Sequence, residues 1–189
     1  VSEVLVDVAG RDGDPGGAGA GDVAIDGRDD RLQPLPVGGA TLEHLWPALD
    51  LVVDVNPKFT FTGMHADYLL PAAGYYEKRG IKYTVAYIPY LHYCDAAVPP
   101  VGDSKDEWEI FWRLAQEVQR VARERGTPVL PGCGKLEVDL TTIGDRFSFN
   151  GEFGPKDTDK VMQHILDSSG TTLGMTVAGL ERTGVEKFK

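Results

Sequence analysis

The chain has 189 residues, 42% of them apolar and 25% charged, with a formal net charge of −10. This is enough apolar content for one domain or two small ones, while 23 glycines and 12 prolines predict many loops. The acidic balance argues against binding nucleic acid or an anionic membrane surface, which takes clustered Lys and Arg, and no apolar run approaches the ~20 residues of a spanning helix.

After Val1 the chain reads SEVLVDVAG, a short strand pattern entering the glycine-rich stretch Gly10–Asp22. That stretch has neither the GxGxxG register nor GxxxxGK[ST], so it reads as a surface loop rather than a phosphate cradle. Residues 1–40 are expected to be an irregular Gly-rich segment. Order is expected from Thr41, a candidate N-cap for a short helix through TLEHLWPAL with Pro47 near its end. Leu51–Val55 is β-branched and reads as a buried strand stopped by Asn56-Pro57. A short helix or turn over Thr60–His65 and a second strand, Tyr68–Leu70, follow. Helix, strand, helix and strand at this density predict an α/β unit with a parallel sheet. Leu69-Leu70-Pro71 is expected to be buried.

Tyr83–Tyr93 reads as an extended strand or a packed loop. Ser104-Lys105-Asp106-Glu107 forms a capping-box pattern opening a helix over about 105–125. Its apolar face is expected to hold Trp108, Phe111, Leu114, Ala115, Val118, Val121 and Ala122, with a solvated polar face opposite. Gly126 can close it. Residues 127–134 read as a loop and 140–149 as mixed. A helix over Thr158–Asp167 is expected after Asp157, with Val161, Ile165 and Leu166 apolar, and a shorter one over Thr176–Arg182 ending at Gly184. The last residues, Val185–Lys189, read as the start of a strand. The chain is therefore expected to be a piece of a longer one.

No GxSxG elbow is present. His44, His65, His92 and His164 are scattered, and Cys94 and Cys133 form no CxxC, so neither a zinc site nor a disulfide framework is indicated. No carboxylate pair stands out for acid–base work. The locus of interest is the end of the Leu51–Val55 strand, because ligands collect beyond the carboxyl ends of parallel strands. Asn56 and Thr60 sit there with short hydrogen-bonding side chains. The plainer reading is that Asn56 makes a turn before Pro57 and Thr60 caps the next helix.

Asn56, Thr60, Ala66-Asp67-Tyr68-Leu69-Leu70-Pro71, Glu77–Gly80, Ala97-Val98-Pro99 and Glu107-Trp108-Glu109-Ile110 form an ordered pattern. With it, the chain from about Pro36 onward resembles the catalytic subunit of molybdopterin oxidoreductases of the dimethyl sulfoxide reductase superfamily. The YYEK and PYLHY elements are most similar to the branch of nitrate reductases, dimethyl sulfide dehydrogenase and ethylbenzene dehydrogenase. DLTTIGDRFSFNGEF and GTTLGMTVAGLERTGV resemble that family's approach to its C-terminal cap domain.

The resemblance implies a bis-molybdopterin guanine dinucleotide cofactor with molybdenum. It maps the family's guanosine contacts onto Asn56 and Thr60, and Asn56 lacks the charge of the alternative Asp. Asp67, Glu77 and Lys78 join them as cofactor-side candidates, although Asp67 could instead fix the loop, and Glu77 and Lys78 are expected to pair rather than touch substrate. The family's 4Fe-4S cysteines and molybdenum ligand lie upstream of the matched residues, so no catalytic or metal-ligating residue is expected in this chain, nor activity from it alone.

The implied intact enzyme performs oxygen-atom transfer or hydroxylation with electron transfer, as in anaerobic respiration. Its implied partners are an iron–sulfur electron-transfer subunit and a haem subunit, with no nucleic acid and no membrane insertion. The implied location is the periplasm, with the cytoplasm as the alternative. The expected fold is α/β, part of a parallel-sheet cofactor-binding domain over residues 41–126. An irregular α+β segment over residues 127–189 then connects towards the cap domain. The rival reading is a stand-alone α/β binding or interaction module without redox chemistry.

Overall fold

The computed structural model describes residues 41–83, 88–127, 129–131 and 137–188. The expectations for residues 1–40, including the Gly10–Asp22 loop, and for Cys133 lie outside these residues. The chain divides into two units, residues 1–70 and 71–189.

In the first unit, Thr41–Leu45 forms a wide helical turn and Trp46–Ala48 a tighter one. Strand β1 (Val53–Asn56), helix α1 (Phe61–His65) and strand β2 (Tyr68–Pro71) follow. β1 and β2 pair as a two-stranded parallel sheet, so the segment is a βαβ unit, as the α/β expectation required. Asn56-Pro57 ends β1 because proline cannot continue the ladder. Thr60 starts α1 by accepting the Gly63 N–H at 3.2 Å. The Trp46 indole N–H donates to the His65 carbonyl at 2.8 Å and ties the opening turns to the end of α1. Tyr68 and Leu69 are exposed, which corrects the expectation that Leu69-Leu70-Pro71 is a buried run. In this unit β2 contributes to a ribbon of only two strands, and such a ribbon cannot cover both faces of a strand.

The second unit carries strands β3 (Gly80–Tyr83) and β4 (Tyr90–Cys94), paired antiparallel with Ile81 opposite Tyr93. Strand β7 (Val185–Lys187) adds to the other edge of β4, with Leu91 opposite Glu186. The expected terminal strand is therefore present and gives a three-stranded sheet in the order β3-β4-β7. Short strands β5 (Val129–Pro131) and β6 (Glu137–Asp139) form a separate antiparallel pair.

Helix α2 (Glu107–Arg125) is the longest element. Its cap is Asp106, whose carboxylate accepts the Trp108 N–H at 2.8 Å, two residues later than the start of the capping-box pattern at Ser104. Gly126 closes it in the left-handed conformation at φ 66°. The buried face is not the expected apolar stripe: Leu114 and Val118 are exposed, whereas Glu109 and Gln119 are buried with Ile110, Ala115 and Ala122. The polar pair is buried because it has partners. Gln119 donates to Asp145 Oδ1 at 3.0 Å and accepts the Asp145 N–H at 2.9 Å, while Gln116 donates to the Gly144 carbonyl at 2.9 Å. These bonds hold helix α3 (Ile143–Phe147), a turn that the sequence left as mixed. Trp108 stacks on Phe147, and the Trp108 and Trp112 indoles donate to the carbonyls of Gly154 and Phe153.

Helices α4 (Thr158–Asp167) and α5 (Val177–Thr183) close the unit, near their expected bounds. Met162 and Leu166 are the buried positions of α4, and Ile165 faces solvent. The core joins Leu91 of β4, Leu166 of α4, Met175 from the turn before α5, and Leu180 of α5.

Glu109 gives one measurable consequence. Burial pushes its carboxyl up, but hydrogen bonds from Lys156 and Arg113 outweigh burial and hold it below the usual range. A depressed carboxylate stabilises the fold above its unfolded pKa and loses that contribution as pH falls through its folded one. Asp106 moves the opposite way, chiefly through burial, so whole-protein acid curves mix the two. Glu109→Gln should therefore lower stability by about 1–2 kcal/mol at neutral pH and show a shallower loss than wild type as pH falls through the carboxylate range. Urea midpoints measured across that range check it; parallel curves for the two proteins would contradict the assignment.

Candidate functional site at the end of strand β1

The alternation of a strand puts Asp54 and Asn56 on one face of β1 and Val53 and Val55 on the other. Asp54 is 1% exposed and Asn56 6%. The Thr60 hydroxyl donates to Asp54 Oδ2 at 3.0 Å while it accepts the Gly63 N–H, so one side chain both starts α1 and orients the buried carboxylate. Asp54 Oδ1 has no hydrogen-bond partner among the described residues. An orphaned buried carboxylate oxygen is costly, and it marks the point where the unit has an unused acceptor. Gly63 is needed at this spot: a Cβ there would lie 2.7 Å from Asp54 Oδ2 and 3.2 Å from Leu69 Cδ1.

Asn56 Oδ1 accepts the Lys58 N–H at 3.5 Å, the outer limit of a hydrogen bond. This is the turn expected before Pro57, and it leaves the amide donors of Asn56 unengaged among the described residues. The Asp67 carboxylate accepts the Val52 N–H at 2.8 Å, which locks the start of β2 to β1. Asn56, Thr60 and Asp67 thus belong to one βαβ unit. Asp54 was not singled out from the sequence, although its two-residue spacing from Asn56 in VVDVN carried the signal.

Glu77 and Lys78 belong to the second unit. Both are engaged, but with separate partners rather than with each other, which corrects the expected pair. Glu77 accepts the Gly74 N–H at 2.8 Å and closes its own turn, and Lys78 forms an ion pair with Glu107 at the start of α2. Successive side chains on a turn diverge, so each finds a different partner. The same turn is anchored by its backbone: the Tyr76 carbonyl accepts from the Ala97 and Val98 amides at 2.8 and 3.1 Å. The Tyr75 ring lies under the ammonium groups of Lys78 and Lys82. Arg79 bridges Asp95 at 3.1 Å and Asp159 at 2.9 Å. Among the described residues no group of three or more His, Cys, Asp or Glu is placed to hold a metal, and no helix is long and apolar enough to cross a membrane.

The βαβ unit places buried polar side chains at the carboxyl end of its first strand, the position where open α/β sheets collect ligands. Residues 39–117 match the sequence model of the molybdopterin oxidoreductase family. The chain is similar to the respiratory nitrate reductase subunit alpha of Haloferax mediterranei, 42% identical over 61% of this chain and 12% of the relative. It is also similar to the dimethylsulfide dehydrogenase subunit alpha of Rhodovulum sulfidophilum, 34% identical over 70% of this chain and 14% of the relative. These relatives fall within the branch expected from the YYEK and PYLHY elements. Among solved structures, acetylene hydratase from Pelobacter acetylenicus overlaps 76% of this chain and 15% of its own, with 19% identity and a TM-score of 0.46. The chain spans about an eighth of the length of the curated relatives it matches.

Proposed function

We propose that this chain is the part of a molybdenum oxidoreductase catalytic subunit that receives one guanosine end of a bis-molybdopterin guanine dinucleotide cofactor. The observation that carries this reading is the polar face of β1 at its carboxyl end, where the amide N–H donors of Asn56 and the Oδ1 of Asp54 have no partner among the described residues. The residues present fit the group, because a nucleoside offers both hydroxyl and N–H donors and ring acceptors. Asn56 contacts the nucleoside through its amide. Thr60 acts by positioning, since its hydroxyl is already committed to Asp54 and Gly63. Asp67 holds the backbone at the start of β1, whereas in the second unit Glu77 closes its own turn and Lys78 pairs with Glu107.

When bound, the cofactor supplies molybdenum for oxygen-atom transfer or hydroxylation; the protein supplies position and electrostatics. The 4Fe-4S cluster, the iron–sulfur and haem partner subunits, and a periplasmic location complete the proposal. The likeness to proteins named as alpha subunits supports partner subunits; the cluster, the kinds of partner and the location follow from the family resemblance.

The test is made on the full catalytic subunit. Asn56→Ala should lower the guanine nucleotide retained per subunit by roughly tenfold, the equivalent of one hydrogen bond of about 1.4 kcal/mol. Asn56→Asp, which offers a carboxylate to N–H donors, should retain nucleotide. Nucleotide released by acid and molybdenum by mass spectrometry give the readouts. Unchanged content in Asn56→Ala would overturn the site. A folded wild-type subunit without molybdenum or nucleotide would favour the stand-alone module.

A further inference from the structure

Between α3 and α4 the backbone does something unusual. Phe149, Asn150 and Gly151 have φ of 53°, 57° and 84°, three consecutive residues in the left-handed region. Asparagine tolerates this conformation and glycine adopts it freely, but a phenylalanine there is uncommon. The turn is held by a dense set of bonds. The Asn150 N–H donates to the Asp145 carbonyl at 2.6 Å and the Phe153 N–H to the Ser148 carbonyl at 3.0 Å. The Gly151 N–H donates to Ser148 Oγ at 3.0 Å, and that hydroxyl donates to the Asp145 carbonyl at 3.1 Å. Ser148 is 2% exposed, so the acceptor is fixed, whereas Asn150 and Gly151 lie exposed to solvent.

Asn-Gly is the dipeptide most open to intramolecular amide chemistry, because glycine puts no side chain in the way. The Gly151 nitrogen can attack the Asn150 side-chain carbonyl carbon. A C–N bond forms, the nitrogen loses its proton to solvent, and ammonia leaves with the former amide nitrogen. Water then opens the five-membered imide at either carbonyl, giving aspartate or its isomer with one extra backbone atom. No oxidant or further reactant is required. Attack needs the Gly151 N–H released from its acceptor and the Asn150 side chain brought over the nitrogen.

We propose that Asn150-Gly151 is a deamidation site held latent by Ser148. The buried hydroxyl keeps the Gly151 proton in a hydrogen bond, and the left-handed turn fixes the backbone that would have to rotate. Conversion would place a new negative charge in an already acidic chain. The isoaspartyl form would also lengthen this hydrogen-bonded turn by one backbone atom, a covalent change that refolding does not reverse.

The experiment incubates the full chain at mildly alkaline pH and follows the peptide containing Asn150 by mass spectrometry and isoaspartyl analysis. Native wild type should convert at least roughly tenfold more slowly than the same chain in urea. Folded Ser148→Ala should recover about tenfold in rate, the loss of one hydrogen bond of about 1.4 kcal/mol. Native wild type converting at the urea rate, or folded Ser148→Ala keeping the wild-type rate, would overturn the proposal. Should Ser148→Ala fail to fold, hydrogen exchange at the Gly151 amide of wild type decides: protection supports the lock, and exchange at the unstructured rate refutes it.

Discussion

Replacing Leu180 with alanine should cost about 2–5 kcal/mol of stability in the second unit. Leu180 is fully buried and packs with Leu91, Leu166 and Met175, with Ile81, Tyr93, Val177 and Phe188 around them. The side chain sits on α5, but the cluster it completes joins that helix to α4 and to the three-stranded sheet. A cavity there removes transfer free energy and contacts together, and the surrounding strands are hydrogen-bonded on fixed registers that limit collapse. The check is denaturant unfolding with hydrogen exchange. Protection should fall across β3, β4 and β7 as well as α5. A loss confined to α5 would mean that the helix is not part of the sheet's core.

Gly63→Ala should be the most damaging single-atom change at the candidate site. The added methyl would meet Asp54 Oδ2 at 2.7 Å and Leu69 Cδ1 at 3.2 Å, and one of them must move. Alanine favours helix over glycine by up to about 1 kcal/mol, so propensity alone predicts a gain. Overpacking costs about 1–3 kcal/mol and should win, because Asp54 is buried and already tied to Thr60. In the full subunit, nucleotide content should fall with it. Stability measured by urea unfolding separates the two forces: a net gain would show that the carboxylate moves freely and that Thr60 does not hold it.

Much of this fold was legible in the sequence. β1 announced itself by its β-branched run and Asn56-Pro57 stop, α2 by periodicity and opposite charges at its ends, and α5 by Thr176 and Gly184. What failed to show depends on tertiary partners. Glu109 and Gln119 look like solvated positions until Arg113, Lys156 and Asp145 are beside them. α3 is a five-residue turn with no periodicity of its own and exists on the amides of Gln116 and Gln119. At the site, Asn56 and Thr60 could be read from position and resemblance. Asp54 could not be recognised as an orphan, because whether a carboxylate finds a partner is a property of the folded neighbourhood.

The sheet of the second unit sets an order on synthesis. β3 and β4 can pair as soon as both have been made, but the other edge of β4 is filled by β7, roughly a hundred residues later. At about 5–20 residues per second, the nascent chain carries an open β4 edge for roughly 5–20 s. An unpaired strand edge is a template for any extended segment that drifts past it. The arrival of Val185–Lys187 therefore does more than add a strand: it retires an edge of the hairpin that a neighbouring nascent chain could otherwise claim.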